Sequence, residues 1–127
     1  MGLMSVRLGT NNVEKAAVFY DAIFDALGLG KVRVPMDAPV ALYQLPGGLH
    51  FMLGAPRDGQ AASYGNGETF GFGASDAASV DRWHAAGLKN GGTSEGAPGP
   101  RQQAGGRYGA YLRDPDGHKL CAYALKG

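Results

Sequence analysis

The same order of secondary structure elements is predicted twice along this chain of 127 residues. Each time, a strand of alternating apolar and polar residues is followed by a helix with an Asn, Ser or Asp cap. Strand candidates joined by turns then follow, and the hairpins YQLPGGLHFML and YLRDPDGHKLCA occupy matching places. A repeat of this kind predicts pseudo-two-fold symmetry, with two curled four-stranded sheets that face each other around a cleft. The convex sides of the sheets would pack on the helices.

The first unit is predicted over residues 3–54. It opens with a strand over 3–9, in which Leu3, Ser5 and Arg7 share one face. Apolar residues at helical spacing then predict a helix that Asn11 or Asn12 caps and that ends near Leu27. Three strand candidates and one turn complete the unit: strands over 31–35, 40–45 and 49–53, with the turn at 46–48.

The second unit is predicted over residues 68–125, after a Gly-rich connecting loop over 55–67. A strand over 68–74 precedes a helix capped by Ser75 or Asp76. The Gly/Pro-rich stretch 90–106 predicts a loop, with at most a short strand near 93–95. The remaining elements are a helix over 77–88, strands over 107–113 and 118–125, and a turn at 114–117. We therefore expect one α+β domain over residues 1–127, built from two paired βαβββ modules with mixed sheets.

Composition excludes several classes of protein. The 22 glycines follow no three-residue period, which excludes collagen, and no run of 18 uncharged apolar residues predicts a membrane span. Twelve Lys and Arg against eleven Asp and Glu are scattered without a basic stripe, which argues against a nucleic-acid partner. The single cysteine, Cys121, allows no internal disulfide, and this fits a cytoplasmic location.

Two segments of the chain resemble a known superfamily. LGTNNVEKAAVFYDAIFDALGL resembles the opening of the vicinal oxygen chelate superfamily (glyoxalase / bleomycin resistance protein / extradiol dioxygenase), and GRYGAYLRDPDGHKLCAYA resembles its closing hairpin. The DPDGHKL stretch is especially similar to fosfomycin resistance proteins and glyoxalase I. The resemblance runs from Met4 to Tyr123. It implies the glyoxalase/bleomycin resistance-like fold of paired βαβββ modules and a homodimer.

The resemblance also implies a divalent metal, which members of the superfamily usually hold with His, Gln and Glu side chains and use to polarise substrate oxygens. Carried over position by position, the ligand points match Ser5, Met52, Thr69 and Cys121. These side chains supply at most one good donor, so we expect no metal centre of the family type and no other cofactor. A shifted site using His50 and Cys121 still lacks a third protein ligand.

A ligand-binding cleft is expected where the inward faces of the strands meet. His50 could act as a general base, and the alternative is a structural histidine on an edge strand. Tyr111 matches a substrate-contacting tyrosine of the fosfomycin resistance proteins, or it is a packed core residue. Cys121 could be a reactive thiol beside Lys119, or a buried small apolar side chain. Arg7 could hold an anion, or it lies at the rim or in a salt bridge. Seven residues make up the expected cleft: Ser5, Arg7, His50, Met52, Thr69, Tyr111 and Cys121.

Three functions remain open from the sequence. The first is binding of a small organic molecule in the inter-module cleft without the usual metal, as in bleomycin-binding members, although a net charge of +1 suits cationic bleomycin poorly. The alternative is a glyoxalase-like lyase or isomerase with a non-standard metal site or metal-free acid–base chemistry, for which His50, Tyr111 and Cys121 are the weak catalytic candidates. The third is an interaction role with a vestigial cleft. Ligand identity and catalysis are not predicted.

Overall fold

The N-terminal unit contains the predicted strands and helix in the predicted order. The computed structural model describes residues 2–126. Strand order in this sheet is β1-β4-β3-β2, with β1 parallel to β4 and the other pairs antiparallel. Its elements are β1 (Ser5–Gly9), α1 (Val13–Ala26), β2 (Arg33–Val34), β3 (Val40–Leu45) and β4 (Leu49–Gly54), with a short 3₁₀ helix at Pro46–Gly48.

The C-terminal sheet repeats the same topology. Strand order is β5-β8-β7-β6, again with one parallel pair, β5 with β8. Its elements are β5 (Phe70–Ala74), α2 (Ala77–Lys89), β6 (Thr93–Pro100), β7 (Tyr108–Arg113) and β8 (Lys119–Ala124), with a 3₁₀ helix at Gln102–Ala104. Two helices on two mixed four-stranded sheets confirm the predicted α+β fold of paired βαβββ units.

Both helices begin at a side-chain cap that the sequence had narrowed to two candidates. The Asn12 side chain accepts a hydrogen bond from the Lys15 amide at 3.0 Å. The Asp76 side chain accepts one from the Ser79 amide at 2.9 Å. Each bond satisfies one of the free amides in the first helical turn. Asn12 and Asp76 are therefore the caps.

The prediction of a loop over 90–106 is wrong for residues 96–100, by which the strand extends beyond the short one expected near 93–95. Strand β6 covers Thr93–Pro100 and pairs with β7 from Thr93 opposite Arg113 to Pro100 opposite Tyr108. The ladder shifts register twice, between Ser94 and Gly96 and again before Gly99. An edge strand with bulges tolerates proline and glycine, because only one side of its backbone needs partners. Hydrogen bonding to β7 thus overrides the local composition.

One apolar core joins the two units. The helices pack against each other, and buried side chains of both sheets contact them. Ring centroids of Phe24 and Phe72 lie 5.7 Å apart, and those of Phe51 and Phe72 lie 6.3 Å apart. Because Phe72 belongs to the C-terminal sheet and the other two rings to the first unit, the core is continuous.

The turn between β7 and β8 also binds the first unit through polar contacts. The Tyr20 hydroxyl donates to Asp114 Oδ2 at 2.6 Å, and the Asn11 amide donates to Asp116 Oδ1 at 2.9 Å. His118 Nε2 donates to the Gly9 carbonyl at 2.7 Å. This histidine is therefore a structural link between the units. Neither helix described within residues 2–126 is long and apolar enough to cross a membrane.

Candidate functional site

The seven predicted cleft residues lie on the face of each sheet that points away from the helices, which we call the open face. Ser5 pairs with His50 and Arg7 with Met52 across β1 and β4. Thr69 lies one residue before β5 of the C-terminal sheet, and Tyr111 on β7 pairs with Cys121 on β8. Within residues 2–126, no hydrogen bond or ring contact joins a member of the first group to one of the second, and neither of the two cavities described below contains members of both groups. The structure of a single chain thus divides these residues between two surfaces.

The open face of the N-terminal sheet is exposed. Arg7 donates from Nη2 to the Ala55 carbonyl at 3.0 Å, and its guanidinium lies against Gly54. Ser5 and His50 are exposed, and the His50 side chain has no hydrogen bond to any other described residue. No partner that would orient His50 as a base occurs among the described residues of this surface.

The open face of the C-terminal sheet contains a cavity of about 390 Å³. Of the seven predicted residues, Thr69 and Tyr111 line it. The sequence reasoning missed Arg101 as a site residue because it lay in the stretch predicted as a loop. Lys119 could have been predicted as a cleft residue, since it lies two residues before Cys121 on the last strand and therefore shares its face. The lining consists of Thr69, Glu95, Gly96, Arg101, Gln103, Tyr111 and Lys119.

Two tyrosine hydroxyls meet on this open face. The hydroxyls of Tyr111 and Tyr123 lie 2.7 Å apart, and their rings meet edge to face at 5.9 Å. Burial and the hydrogen bond to Tyr111 raise the pKa of Tyr123 to about 12. The Tyr123 ring occupies the space above Gly109, where an added Cβ would lie 2.4 Å from it. Gly109 therefore makes room for the Tyr123 ring.

Cys121 lies beside the tyrosine pair but is only 9% exposed. Its Sγ would lie 3.3 Å from a Cβ placed on Gly71. Burial raises the pKa of the Cys121 thiol, and the positive charge of Lys119 opposes this only in part. A protonated thiol is a weak nucleophile, so this geometry favours the alternative of a small buried side chain.

Arg101 is held by the irregular backbone of β6. Its Nη1 donates to the Gly99 carbonyl at 3.1 Å and its Nη2 donates to the Ala97 carbonyl at 2.6 Å. A Cβ on Gly96 would lie 3.0 Å from Nη2, so the glycine makes room for the guanidinium. Arg101 Cζ lies 5.8 Å from the centre of the Tyr111 ring, and Lys119 Nζ lies 5.4 Å from it. Both cations therefore contact one aromatic ring.

A larger groove of about 1070 Å³ lies between α1 and the segment 30–40. Its lining includes the half-exposed side chains of Val18 and Met36 and an ion pair between Asp21 and Arg33 at 3.3 Å. None of the seven predicted cleft residues lines this groove. Its volume alone does not connect it with the candidate site.

The positions that correspond to metal ligands do not suit a divalent ion. Ser5 and Met52 lie on one sheet, whereas Cys121 lies on the other and Thr69 directly precedes β5. Two hydroxyls, a thioether and a thiol of raised pKa are a poor donor set for such an ion. Within residues 2–126, no three His, Cys, Asp or Glu side chains are grouped so that they could hold a metal.

The two paired βαβββ units place this chain among small α+β proteins with two mixed four-stranded sheets. Comparison with known proteins identifies the family. Residues 2–122 match the model of the Glyoxalase/Bleomycin resistance protein/Dioxygenase superfamily. This chain belongs to that superfamily, which confirms the resemblance seen in the sequence. A comparison with curated proteins gives no match.

Solved structures with the same fold include one of substantial sequence identity. A glyoxalase/bleomycin resistance protein from Albidiferax ferrireducens T118 is 43% identical, with a TM-score of 0.86 over 96% of this chain and 98% of that one. A glyoxalase-related enzyme from Fulvimarina pelagi is 18% identical, with a TM-score of 0.80 over 98% and 88% of the chains. A lactoylglutathione lyase from Agrobacterium tumefaciens is 19% identical, with a TM-score of 0.64 over 99% and 93%. The last two show a shared fold.

Proposed function

We propose that this protein binds a small organic molecule on the open face of the C-terminal sheet, which would form one wall of the expected inter-module cleft. The observation that carries this proposal is the cavity of about 390 Å³ beside Tyr111. Its volume falls in the range of small-molecule sites, about 300–1,000 Å³. Aromatic, hydroxyl and charged groups surround it, and these can fix the orientation of a ligand.

Binding is proposed to occur without the metal centre usual in the superfamily. The support is the donor chemistry of Ser5, Met52, Thr69 and Cys121, which is too weak for a divalent ion. Selectivity would then come from shape and from the side chains around Tyr111, and not from chelation of substrate oxygens.

The second candidate function is a glyoxalase-like lyase or isomerase that uses metal-free acid–base chemistry or a non-standard metal site. The pair of tyrosine hydroxyls favours it, because the Tyr111 and Tyr123 hydroxyls beside Lys119 could donate hydrogen bonds to a bound carbonyl oxygen. Cys121 and His50 are weaker candidates, since one is buried and the other has no orienting partner among the described residues.

The proposed setting of this function is a single domain that pairs with a second copy in the cytoplasm. The shared core of the two units supports one domain over residues 1–127, with modules at 3–54 and 68–125 joined by the loop 55–67. The exposed open face around His50 leaves surface for a second copy. The lone, reduced Cys121 fits a cytoplasmic location, and the near-balanced charge argues against a nucleic-acid or membrane partner.

A thermal-shift experiment on metal-stripped protein tests the proposal. A set of small thiol, carbonyl and aromatic compounds is compared with Ni²⁺, Zn²⁺, Fe²⁺ and Mn²⁺ added alone. We expect some organic compounds to raise Tm by several degrees, since ligand at 100 times Kd adds about 2.7 kcal/mol to stability. The Tyr111→Phe variant should lose part of that shift. The matched Tyr108→Phe variant should keep it, because Tyr108 donates to Asp81 on the opposite face.

Two results would contradict the proposal. A Tm rise from a metal alone, with near-stoichiometric metal in the purified protein, would restore the metal-dependent mechanism. Failure of every organic compound to change Tm would favour an interaction role for the protein.

A further inference from the structure

The cavity on the C-terminal open face carries an excess of positive charge. Arg101 and Lys119 both line it and are half-buried. Within residues 2–126, neither side chain forms a salt bridge with a carboxylate. Glu95 also lines the cavity, but its Oε1 accepts from Arg113 Nε at 2.5 Å, so its charge is already balanced. The two remaining cations face the cavity without a counter-charge from the described chain.

Arg113, on the same sheet, is an arginine whose charge is balanced by a carboxylate. Arg113 binds Glu95, donates from Nη1 to the Gly117 carbonyl at 2.8 Å, and packs 5.0 Å from the Tyr64 ring. Arg101 makes the same kinds of contact to carbonyls and to a ring but has no carboxylate. Arg101 therefore lacks the contact with an anionic group that Arg113 makes with Glu95.

Arg101 is also held in place before any ligand arrives. Two carbonyls of β6 bind Nη1 and Nη2, and Gly96 and Gly99 leave room for the guanidinium beside the strand. A side chain fixed in this way loses less conformational entropy when it binds a ligand. Two bulges in an edge strand thus position one cation over Tyr111.

We propose that this cavity binds the oxyanion of a small organic molecule, a carboxylate or a phosphate, with Arg101 and Lys119 as its charge partners. Thr69 and Tyr111 supply hydroxyl groups on the same cavity wall. Guanidinium and ammonium groups both bind such oxyanions through charge-assisted hydrogen bonds. This inference rests on the proposed binding function and adds the chemical class of the ligand.

The test is a two-dimensional amide NMR titration at constant ionic strength with three probes: benzoate, phenyl phosphate and benzamide. Benzamide has nearly the shape of benzoate but no charge. We expect both anions to give saturable shifts at the amides of Thr69, Gly96, Arg101, Tyr111 and Lys119. Benzamide should bind at least about tenfold more weakly, since hydrogen bonds to charged groups contribute about 1.5–3 kcal/mol.

Variants of the two cations test which positive charge contributes to binding of the anion. Arg101→Gln and Lys119→Gln should each weaken binding of the anion about tenfold. The Lys119 side chain has no hydrogen bond within the described chain, so its replacement keeps the test valid where Arg101→Gln perturbs β6. Arg57→Gln is the control, because Arg57 is exposed, lies outside the cavity and loses the same charge. It should change Kd by less than about twofold.

The possible failures are distinguishable. Equal binding of benzoate and benzamide at these amides, or an unchanged Kd in both cavity variants, would overturn the oxyanion inference and leave the binding function intact. No shift at any open-face amide with all three probes would also overturn it. The binding function itself fails only if the wider set of organic compounds also leaves Tm unchanged. Tighter binding of one anion supports the inference and identifies carboxylate or phosphate as the group.

Discussion

Asp114 places a carboxyl group inside the core, and the surrounding donors make this possible. It is 4% exposed, and the Tyr20 hydroxyl donates to its Oδ2 at 2.6 Å. The amides of Asp116 and His118 donate to Oδ1 at 2.9 Å each. Burial raises the pKa of Asp114, and these donors oppose the rise because they stabilise the carboxylate. Removing one donor would leave a buried polar group short of a partner.

Two Tyr–Asp hydrogen bonds of equal length, one buried and one exposed, allow the effect of burial on stability to be tested. Tyr20→Phe removes the buried bond to Asp114, and Tyr108→Phe removes the exposed bond to Asp81, each 2.6 Å long. We expect Tyr20→Phe to lower the free energy of unfolding by about 1.5–3 kcal/mol, because a charged acceptor stays buried. Tyr108→Phe should change it by less than about 0.5 kcal/mol.

Urea unfolding at pH 7 measures both values. Similar losses from the two variants would mean that burial does not decide the contribution of the bond. The idea that Asp114 depends on Tyr20 would then be wrong.

The contact between α2 and the start of β6 depends on glycines that allow close approach. Gly92 follows α2, and its amide donates to the Gly87 carbonyl at 2.9 Å. A Cβ on Gly92 would lie 2.5 Å from Phe19 Cε1, 2.8 Å from the Arg113 carbonyl oxygen and 3.0 Å from the Gly87 carbonyl oxygen. Two of these neighbours are backbone atoms, which cannot move aside cheaply.

The Gly92→Ala variant should therefore destabilise the protein by about 1–3 kcal/mol, the usual cost of overpacking a dense interior. Gly99→Ala, within β6, is the control. Its Cβ would meet only Arg101 Nη1, at 3.4 Å, so a change within about 0.5 kcal/mol is expected. Urea midpoints of both variants decide the matter, and an unchanged midpoint for Gly92→Ala would show that Phe19 and the backbone can relax.

Helices and strands were predictable where hydrophobic periodicity and capping residues agree. They were not predictable where only pairing with a neighbouring strand determines the structure. The stripe through Tyr20, Ile23 and Phe24 predicted α1, and the structure buries all three. Strand β6 has no such signal, because its Gly/Pro-rich sequence becomes a strand only against β7. The same failure hid Arg101, so sequence reasoning found Thr69 and Tyr111 of the cavity but not its arginine. Nor could spacing show that the Tyr123 ring fills the space above Gly109.

At the scale of the whole molecule, the two units share one core. The Phe51 ring on β4 lies 5.1 Å from that of Tyr20 and 6.3 Å from that of Phe72 on β5. The helices contact each other. The turn after β7 accepts hydrogen bonds from Tyr20 and Asn11 of the first unit and donates one to it through His118. Neither unit buries these surfaces alone, so we expect the chain to unfold in one transition.

Phe51→Leu and the single tryptophan provide a direct test of this coupling. Trp83 lies on α2, is fully buried and is the only tryptophan of the chain, so its fluorescence reports on the C-terminal unit. Phe51→Leu opens space in the core of the first unit and should cost about 1–3 kcal/mol. In one cooperative domain, the Trp83 fluorescence midpoint and the far-UV circular dichroism midpoint fall together in urea. Val18→Ala, an exposed change on α1, should move neither by more than about 0.5 kcal/mol.

Independent units would give a different result with the same variant. The Trp83 midpoint would stay at its wild-type value, and circular dichroism would separate into two transitions. That outcome would mean that the ring contacts between Phe51 and Phe72 add little to cooperativity. Coincident shifts would instead mean that a substitution in the core of the first unit is felt in the second unit, because both units pack against the same core.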